Sequence, residues 1–351
     1  MRCYAAMRDG LLVCDRDGGD WTVAERFADH ALECVAAHPD RPDRAFAGTF
    51  ETGLHRTTDA GHTWERVGAD AIDPGEDPDT RERRGVPGGG VSAMSLAVNP
   101  ADPDEVWVGT EPSDLFHSTD GGDTWTRVDG FADLESLDDC AFPPRPYTHH
   151  VRWIEVDPAD TARVYVGVEA GALLVTPDRG ETWVERPPGS RRDNHTLATH
   201  PDAPGRVYSA AGDGYAESDD AGESWDHPED GLAHGYVWGL AVDPGDPDRV
   251  LVSAAHGAGE AHRAASADAH LYRSVGGPED RTWARLADCG LPTGEGVVRA
   301  ALAGGRTAGE FFALTNRGLF RTGDGGDSFD RVGATWPDRY RDATGRGVAV
   351  V

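Results

Sequence analysis

The 351-residue sequence contains no lysine; all 33 of its basic residues are arginine. They are outnumbered by 62 Asp and Glu residues, with Asp about twice as frequent as Glu, and the formal net charge is −29. A dense acidic surface stays hydrated where salt screens charge over a few ångströms, so this composition predicts a protein adapted to a cytoplasm of molar salt. The same balance argues against nucleic acid as a partner, because phosphate binding needs a basic patch and the arginines are scattered through acidic sequence. Cysteine is scarce. Cys3, Cys14, Cys34, Cys140 and Cys289 form no CxxC pair and are odd in number, so neither a disulfide framework nor a zinc site is expected. No apolar run reaches membrane-spanning length. Residues 1–13 lack the charged start, apolar core and cleavage site of a signal peptide. The expectation is a soluble cytoplasmic protein with no membrane partner and no cofactor.

What the chain has in quantity is glycine, 45 residues, and proline, 23. They punctuate an internal repeat, the first thing to seek in a chain of this length. A turn of pattern Ser/Thr-x-Asp-x-Gly-x-Thr/Ser-Trp/Phe occurs at Thr57-Thr58-Asp59-Ala60-Gly61-His62-Thr63-Trp64. It returns around Asp120 and Trp125, Asp178 and Trp183, Asp220 and Trp225, and Asp324 and Phe329. Degenerate copies at Asp15–Trp21 and Ser274–Trp283 bring the number to seven. The Asp side chain can accept backbone N–H groups of its own turn, the Gly permits positive φ, and the aromatic residue opens the next strand. The motif is read as structural.

Upstream of most turns lies an apolar-alternating run ending in Pro, such as Leu96-Ala97-Val98-Asn99-Pro100 or Leu240-Ala241-Val242-Asp243-Pro244. An Asp/Pro turn, a β-rich run such as Val164-Tyr165-Val166-Gly167 and a third run complete the unit. Four short strands per repeat make a propeller blade. The expected fold is all-β: a seven-bladed β-propeller of four-stranded antiparallel blades forming one domain, 1–351. The blades are expected at 345–351 plus 2–27, 31–68, 91–128, 149–186, 193–228, 235–286 and 296–332. The last residues read as a first strand with nothing after it, and the first as second and third strands with nothing before. The C-terminal strand should therefore close the ring, with residues 348–351 pairing with 3–6.

These turns resemble the Asp-box, or BNR, repeats of the sialidase-like propellers, a group that includes sialidases, large-substrate glucanases, sortilin-type receptors and a photosystem II assembly factor. The resemblance covers essentially the whole chain and implies the fold. For a sialidase it implies an Arg-Ile-Pro motif near the N-terminus, three arginines for a substrate carboxylate and a Tyr–Glu pair. No Arg-Ile-Pro is present. The nearest string, Pro143-Pro144-Arg145-Pro146-Tyr147, lies in the wrong place, so true sialidase activity is not expected.

A functional site is expected on the face opposite the Asp turns. The connections there vary most in length, at 68–90, 129–149 and 254–270, and variable loops on a rigid scaffold carry binding sites. Aligned on the terminal Pro, the position six residues earlier holds Glu33, Met94, Arg152, His195 and Trp238, with Arg346 matching in the split blade and Arg299 one residue off register. Candidate ligand-binding residues are His149, His150, Arg152, Glu169, His195, Tyr215, His234, Tyr236, Trp238 and Arg299. This set suits a small polar or carbohydrate ligand. The alternative is a glycoside hydrolase using paired carboxylates, Glu169 with Asp213 or Asp193. A second alternative is a scaffold with a protein partner, like the photosystem assembly factor. No metal is expected: His149 and His150 are adjacent and should face opposite ways, and His256, Glu260, His262 and His270 show no ligand spacing.

Overall fold

A computed structural model describes residues 1–28, 30–73, 79, 82–83, 92–333 and 335–351. The strands form seven antiparallel sheets, and the inner strand of each packs against those of its neighbours in a closed ring. Most of the connection expected to vary at 68–90 lies outside the described residues. Five sheets carry four strands, and the sheet that begins with Tyr236–Asp243 adds a short fifth, Gly294–Glu295, beside Asp268–Val275; apart from the C-terminal strand that closes the ring, the strands follow in sequence order from the axis outward. In the blade of Asn194–Thr199, Val207–Ala211 and Gly214–Ser218 the fourth strand shrinks to one bridge, Glu217 to Asp226.

The ring closes as the chain ends predict. Strand Gly345–Val350 is innermost in the first sheet and pairs with Arg2–Met7, in the register Cys3 to Val350, Tyr4 to Ala349, Ala5 to Val348 and Ala6 to Gly347. Arg2 and Val351 exchange both backbone hydrogen bonds, at 2.8 and 2.9 Å.

The repeated turn is held as its chemistry requires. Asp59 accepts the Thr63 N–H at 2.8 Å and the Thr63 hydroxyl at 2.6 Å, while the Thr57 hydroxyl donates to Asp59 at 2.9 Å and accepts the Gly61 N–H at 2.9 Å. The same set recurs at Asp120, Asp178, Asp220 and Asp324. Trp125 and Trp225 return their indole N–H to the turn glycine carbonyls of Gly122 and Gly222. The degenerate copy at Asp15–Trp21 is a tight hairpin over Gly18 and Gly19, both at positive φ.

The core is distributed between neighbouring blades. One cluster joins Val164, Val166 and Leu174 to Trp107 and Leu115 of the preceding blade. Close approach near the axis explains the glycine ending several second strands. A Cβ on Gly109 would meet Val151 of the next blade at 2.4 Å.

Candidate functional site

The first strands are not regular where they reach the axis. Their register against the second strand slips by one residue between Leu32 and Cys34, Ala93 and Ser95, Val151 and Trp153, Asn194 and Thr196, and Val237 and Gly239. The residues left unpaired are Glu33, Met94, Arg152, His195 and Trp238. In the closing strand the slip falls at Arg346. A bulge re-aims the extra side chain. Six bulges thus take the six aligned positions out of the pleat. Glu33, Met94, Arg152, Trp238 and Arg346 line one central cavity of about 60 Å³.

The polar groups meet on one side of this ring. Glu169, in the turn after the strand Val164–Val168, accepts His150 Nε2 at 2.9 Å and lies 3.9 Å from Arg152 Nε and 3.9 Å from His195 Nε2. Asp193 Oδ1 is 3.6 Å from the same His195 nitrogen and accepts the Ala170 N–H at 2.8 Å. His195 Nδ1 donates to the Val237 carbonyl at 2.8 Å, so a neutral ring presents Nε2 as an acceptor.

A directed chain of hydrogen bonds fits these partners. Arg299 Nε donates to His262 Nδ1 at 3.4 Å, and His262 Nε2 donates to the Tyr236 hydroxyl at 3.0 Å. The Tyr236 O–H then points to His195 Nε2 at 3.5 Å. Trp238 has only 4 % of its surface exposed. It stacks on His195 at 4.1 Å between centroids, with the Arg299 guanidinium 3.8 Å from its own centroid. It leaves no free face for a sugar ring.

Burial dominates the protonation of the group, and local charge splits it. Burial would raise the Glu169 carboxyl, but the His150 hydrogen bond and the charges of His150, His195 and Arg152 hold it well below the ordinary carboxylate range. Asp193 is pushed up, chiefly by burial and then by the neighbouring carboxylates. Burial lowers His195, and it lowers His262 to about 2 with the help of Arg299. Two nearby carboxyl groups are therefore shifted in opposite directions, a pattern of acid–base sites.

The structure separates the sequence candidates. His150, Arg152, Glu169, Asp193, His195, Tyr236, Trp238 and Arg299 belong to the cluster. Tyr215 does not: it is fully buried between blades, donating to Glu217 at 2.8 Å and packing edge-on against Trp283. Its strand position turns it into the inter-blade core. Asp213 is exposed and accepts the backbone N–H groups of Arg192 and Asp193 at 3.3 and 3.4 Å, so it braces the turn. His149 is half-buried, as expected from its alternation with His150. His234 joins a different group, stacked near His256 and His270 and bonded to the Tyr272 hydroxyl.

The residue that sequence reasoning missed is His262. It sits on a short helix, Ala258–His262, inside a connection whose histidines were weighed only as metal ligands and set aside. Three histidines, His256, His262 and His270, in one variable loop were the available signal.

Among the described residues, Glu169, Asp193 and His195 have donor atoms within 4.8 Å of one another, a spacing that could hold a cation. His195 also places its other nitrogen on a carbonyl, as metal-ligating histidines do. The Arg152 guanidinium beside Glu169 opposes a cation there.

No family model matches the chain. Over 95 residues, 27 % of this chain and 10 % of the relative, it is 39 % identical to an oligoxyloglucan-reducing end-specific xyloglucanase of Emericella nidulans. Over 318 residues, 76 % of this chain and 34 % of the relative, it is 24 % identical to xyloglucanase Xgh74A of Acetivibrio thermocellus. The chain thus spans about a third or less of the length of the curated relatives it matches. Among solved structures it resembles an ancestral GH74 enzyme, with TM-score 0.60 and 14 % identity, over 87 % of this chain and 39 % of that one. It also resembles YCF48 bound to D1 peptide, with TM-score 0.56 and 17 % identity, over 86 % of this chain and 82 % of that one. Likeness at these identities concerns the fold alone. The chain is a seven-bladed propeller with xyloglucanase homologues.

Proposed function

We propose that this propeller is a glycoside hydrolase-like protein acting on a polar glycan, with xyloglucan-type β-glucans the first substrates to test. The carrying observation is the Glu169–Asp193 pair, whose oxygens approach within 4.8 Å across His195 and whose protonation preferences diverge. Two carboxyl groups this close suit a nucleophile and an acid. Such pairs stand roughly 5–5.5 Å apart, closer than the roughly 6.5–9.5 Å that leaves room for a water. Glu169, kept ionised, is the nucleophile in this reading. Asp193, pushed toward the protonated form and the more exposed of the two, is the acid that meets the leaving oxygen. The xyloglucanase relatives support the substrate class.

The Asp turns support a place among the sialidase-like Asp-box propellers, and the lysine-free acidic surface supports work in a high-salt cytoplasm. The test is release of reducing ends from xyloglucan oligosaccharides in molar KCl, with loss in Glu169→Gln and in Asp193→Asn. No release, together with no ligand-induced thermal shift, would overturn the reading.

A second reading, a peptide-binding scaffold, is favoured by length. The chain covers 82 % of the structure of YCF48 bound to D1 peptide, but only 34 % of Xgh74A. Pull-down of a defined partner by a protein inert toward every glycan would favour it.

A further inference from the structure

One buried carboxylate beside the cluster takes no part in the chemistry proposed above. Glu111 ends the strand Asp102–Glu111 and is fully buried. Its charge is met by Arg145, from the Pro143-Pro144-Arg145-Pro146-Tyr147 string that supplies no sialidase motif. Arg145 grips both carboxylate oxygens, Nε donating to Oε1 at 2.7 Å and Nη2 to Oε2 at 2.5 Å. A two-point bond of this kind fixes the orientation of the carboxylate as well as its charge. The guanidinium packs on the rings of Phe50 and Phe142, 5.0 and 4.8 Å from their centroids. The backbone around it is tied into a compact turn. Arg145 donates its N–H to the Phe142 carbonyl at 2.8 Å, and Thr148 donates to the Arg145 carbonyl at 3.1 Å. Arg145 is therefore pinned on its backbone, its ring contacts and its charged end.

Glu111 and Glu169 flank one imidazole. His150 is 2 % exposed, with Nε2 2.9 Å from Glu169 Oε2 and Nδ1 3.5 Å from Glu111 Oε2. The first contact is a hydrogen bond. The second is not, and Nδ1 has no hydrogen-bond partner among the described residues. A neutral imidazole has one proton to give, and two carboxylates lie in reach of it. Given to Glu111, it would leave the Nε2 lone pair facing the Glu169 carboxylate. The grip of Arg145 accounts for the choice observed: both Glu111 oxygens are already bonded and are held out of line with Nδ1.

We infer that Arg145 is a positioning residue for Glu169. By holding Glu111 it leaves the His150 proton on Nε2, where it fixes the Glu169 carboxylate beside Asp193. The part of Glu169 as nucleophile rests on the hydrolase reading, whereas the place of the proton does not.

The test reads that proton directly. Nitrogen-15 NMR of the full chain, labelled in its histidines, distinguishes the two tautomers, and the His150 signal is the one lost in His150→Gln. The neutral ring of the unaltered protein should carry its proton on Nε2. Arg145→Gln should move it to Nδ1. The same variant should lower kcat on xyloglucan oligosaccharides by roughly 10–100-fold with KM little changed, because a reacting group is misplaced and no substrate contact is removed. Arg145→Gln with Glu111→Gln also removes the competing carboxylate, so the proton should return to Nε2 and most of kcat should recover. A merely structural Arg145 gives no such recovery. A proton on Nδ1 in the unaltered protein overturns the proposal, and so does a double variant no better than the single one. Should Arg145→Gln alone not fold, the tautomers of the unaltered protein and the double variant decide. A chain that cleaves no glycan removes the hydrolase reading, and the movement of the proton between variants still settles the part of Arg145.

Discussion

Deleting residues 346–351 removes the strand that closes the ring, and the cost can be worked from what that strand covers. Val351 is nearly fully buried, Ala349 is buried, and Val348 and Val350 are half-buried. Their own burial contributes roughly 6 kcal/mol. Ordering six backbone residues costs at least about 1 kcal/mol each, so these two contributions nearly cancel. What is not offset is the surface bared on the neighbours. Val348 and Val350 cover Cys3, Ala5 and Leu314, while Ala349 and Val351 cover Tyr4, Leu32 and Val35. Half-exposing six such side chains costs roughly 4–6 kcal/mol, a large share of the 5–15 kcal/mol that holds a domain folded. Thermal unfolding in molar KCl should show the midpoint falling by about 10 °C or more, with an open edge on Arg2–Met7 that promotes association. The converse perturbation uses Cys3, which lies opposite Val350 next to the hydrogen-bonded pair of Arg2 and Val351. Cys3 and Val350 are therefore a close, non-hydrogen-bonded pair on one face. Val350→Cys should form a disulfide with Cys3 on oxidation and raise the midpoint. An unchanged midpoint in the deletion would refute the closure argument, and a disulfide that lowers stability would refute the register.

Three further outcomes follow from the same geometry. Glu155 accepts the Thr199 N–H at 3.0 Å and its hydroxyl at 2.8 Å, yet burial pushes its carboxyl from 4.5 up to about 7. Its folded pKa lies above the unfolded one, so the protein should lose stability as pH rises from about 4.5 to 7, by up to roughly 3 kcal/mol. Glu155→Gln should flatten that part of the urea-midpoint profile, and an unaltered slope would place the titration elsewhere. Asp120→Ala removes an acceptor of the Thr124 N–H and hydroxyl and should cost about 1–2 kcal/mol by urea unfolding. Asp120→Asn keeps one acceptor and should cost less; equal losses would contradict the hydrogen-bond account. Tyr236→Phe breaks the link between His262 and His195. It should shift the His195 titration seen by NMR while leaving the fold intact, and an unmoved titration would remove Tyr236 from the chain of hydrogen bonds.

The ring was legible because its signals are local and repeated. Each Asp turn carries its own hydrogen-bond partners within a few residues, so Asp59, Asp120 and Asp324 need no tertiary contact to be recognised. The closing strand was legible from an imbalance, a run of valines at one end and a missing first strand at the other. Tyr215 was misplaced because one residue of register decides whether a side chain faces the axis or the next blade. Asp213 was misplaced because a turn carboxylate can brace its own backbone as readily as face a cavity. His262 was missed because its position depends on a short helix within a long connection, where nothing periodic guides the reading.

The bulges explain why the aligned positions mattered although the alternation rule does not carry through them. In an unbroken strand a residue six before the Pro would lie in the same pleat as its apolar neighbours and point between the blades. A polar Glu33, Arg152, His195 or Arg346 there would be buried in the core without enough partners. One extra residue in each inner strand turns that position toward the axis, where opposite charges from other blades are within reach. The break in apolar patterning and the break in strand register are therefore the same event, repeated in six blades. Changing the side chain alone should leave the bulge in place. Deleting the bulged residue, for example Arg152, should restore a regular ladder with Val151 and Trp153 still opposite Val168 and Gly167, closing the opening through which the side chain reaches Glu169. Such a deletion should be far more damaging to stability than Arg152→Ala. If the two were equal, the bulge would be a consequence of the side chain and not the device that positions it.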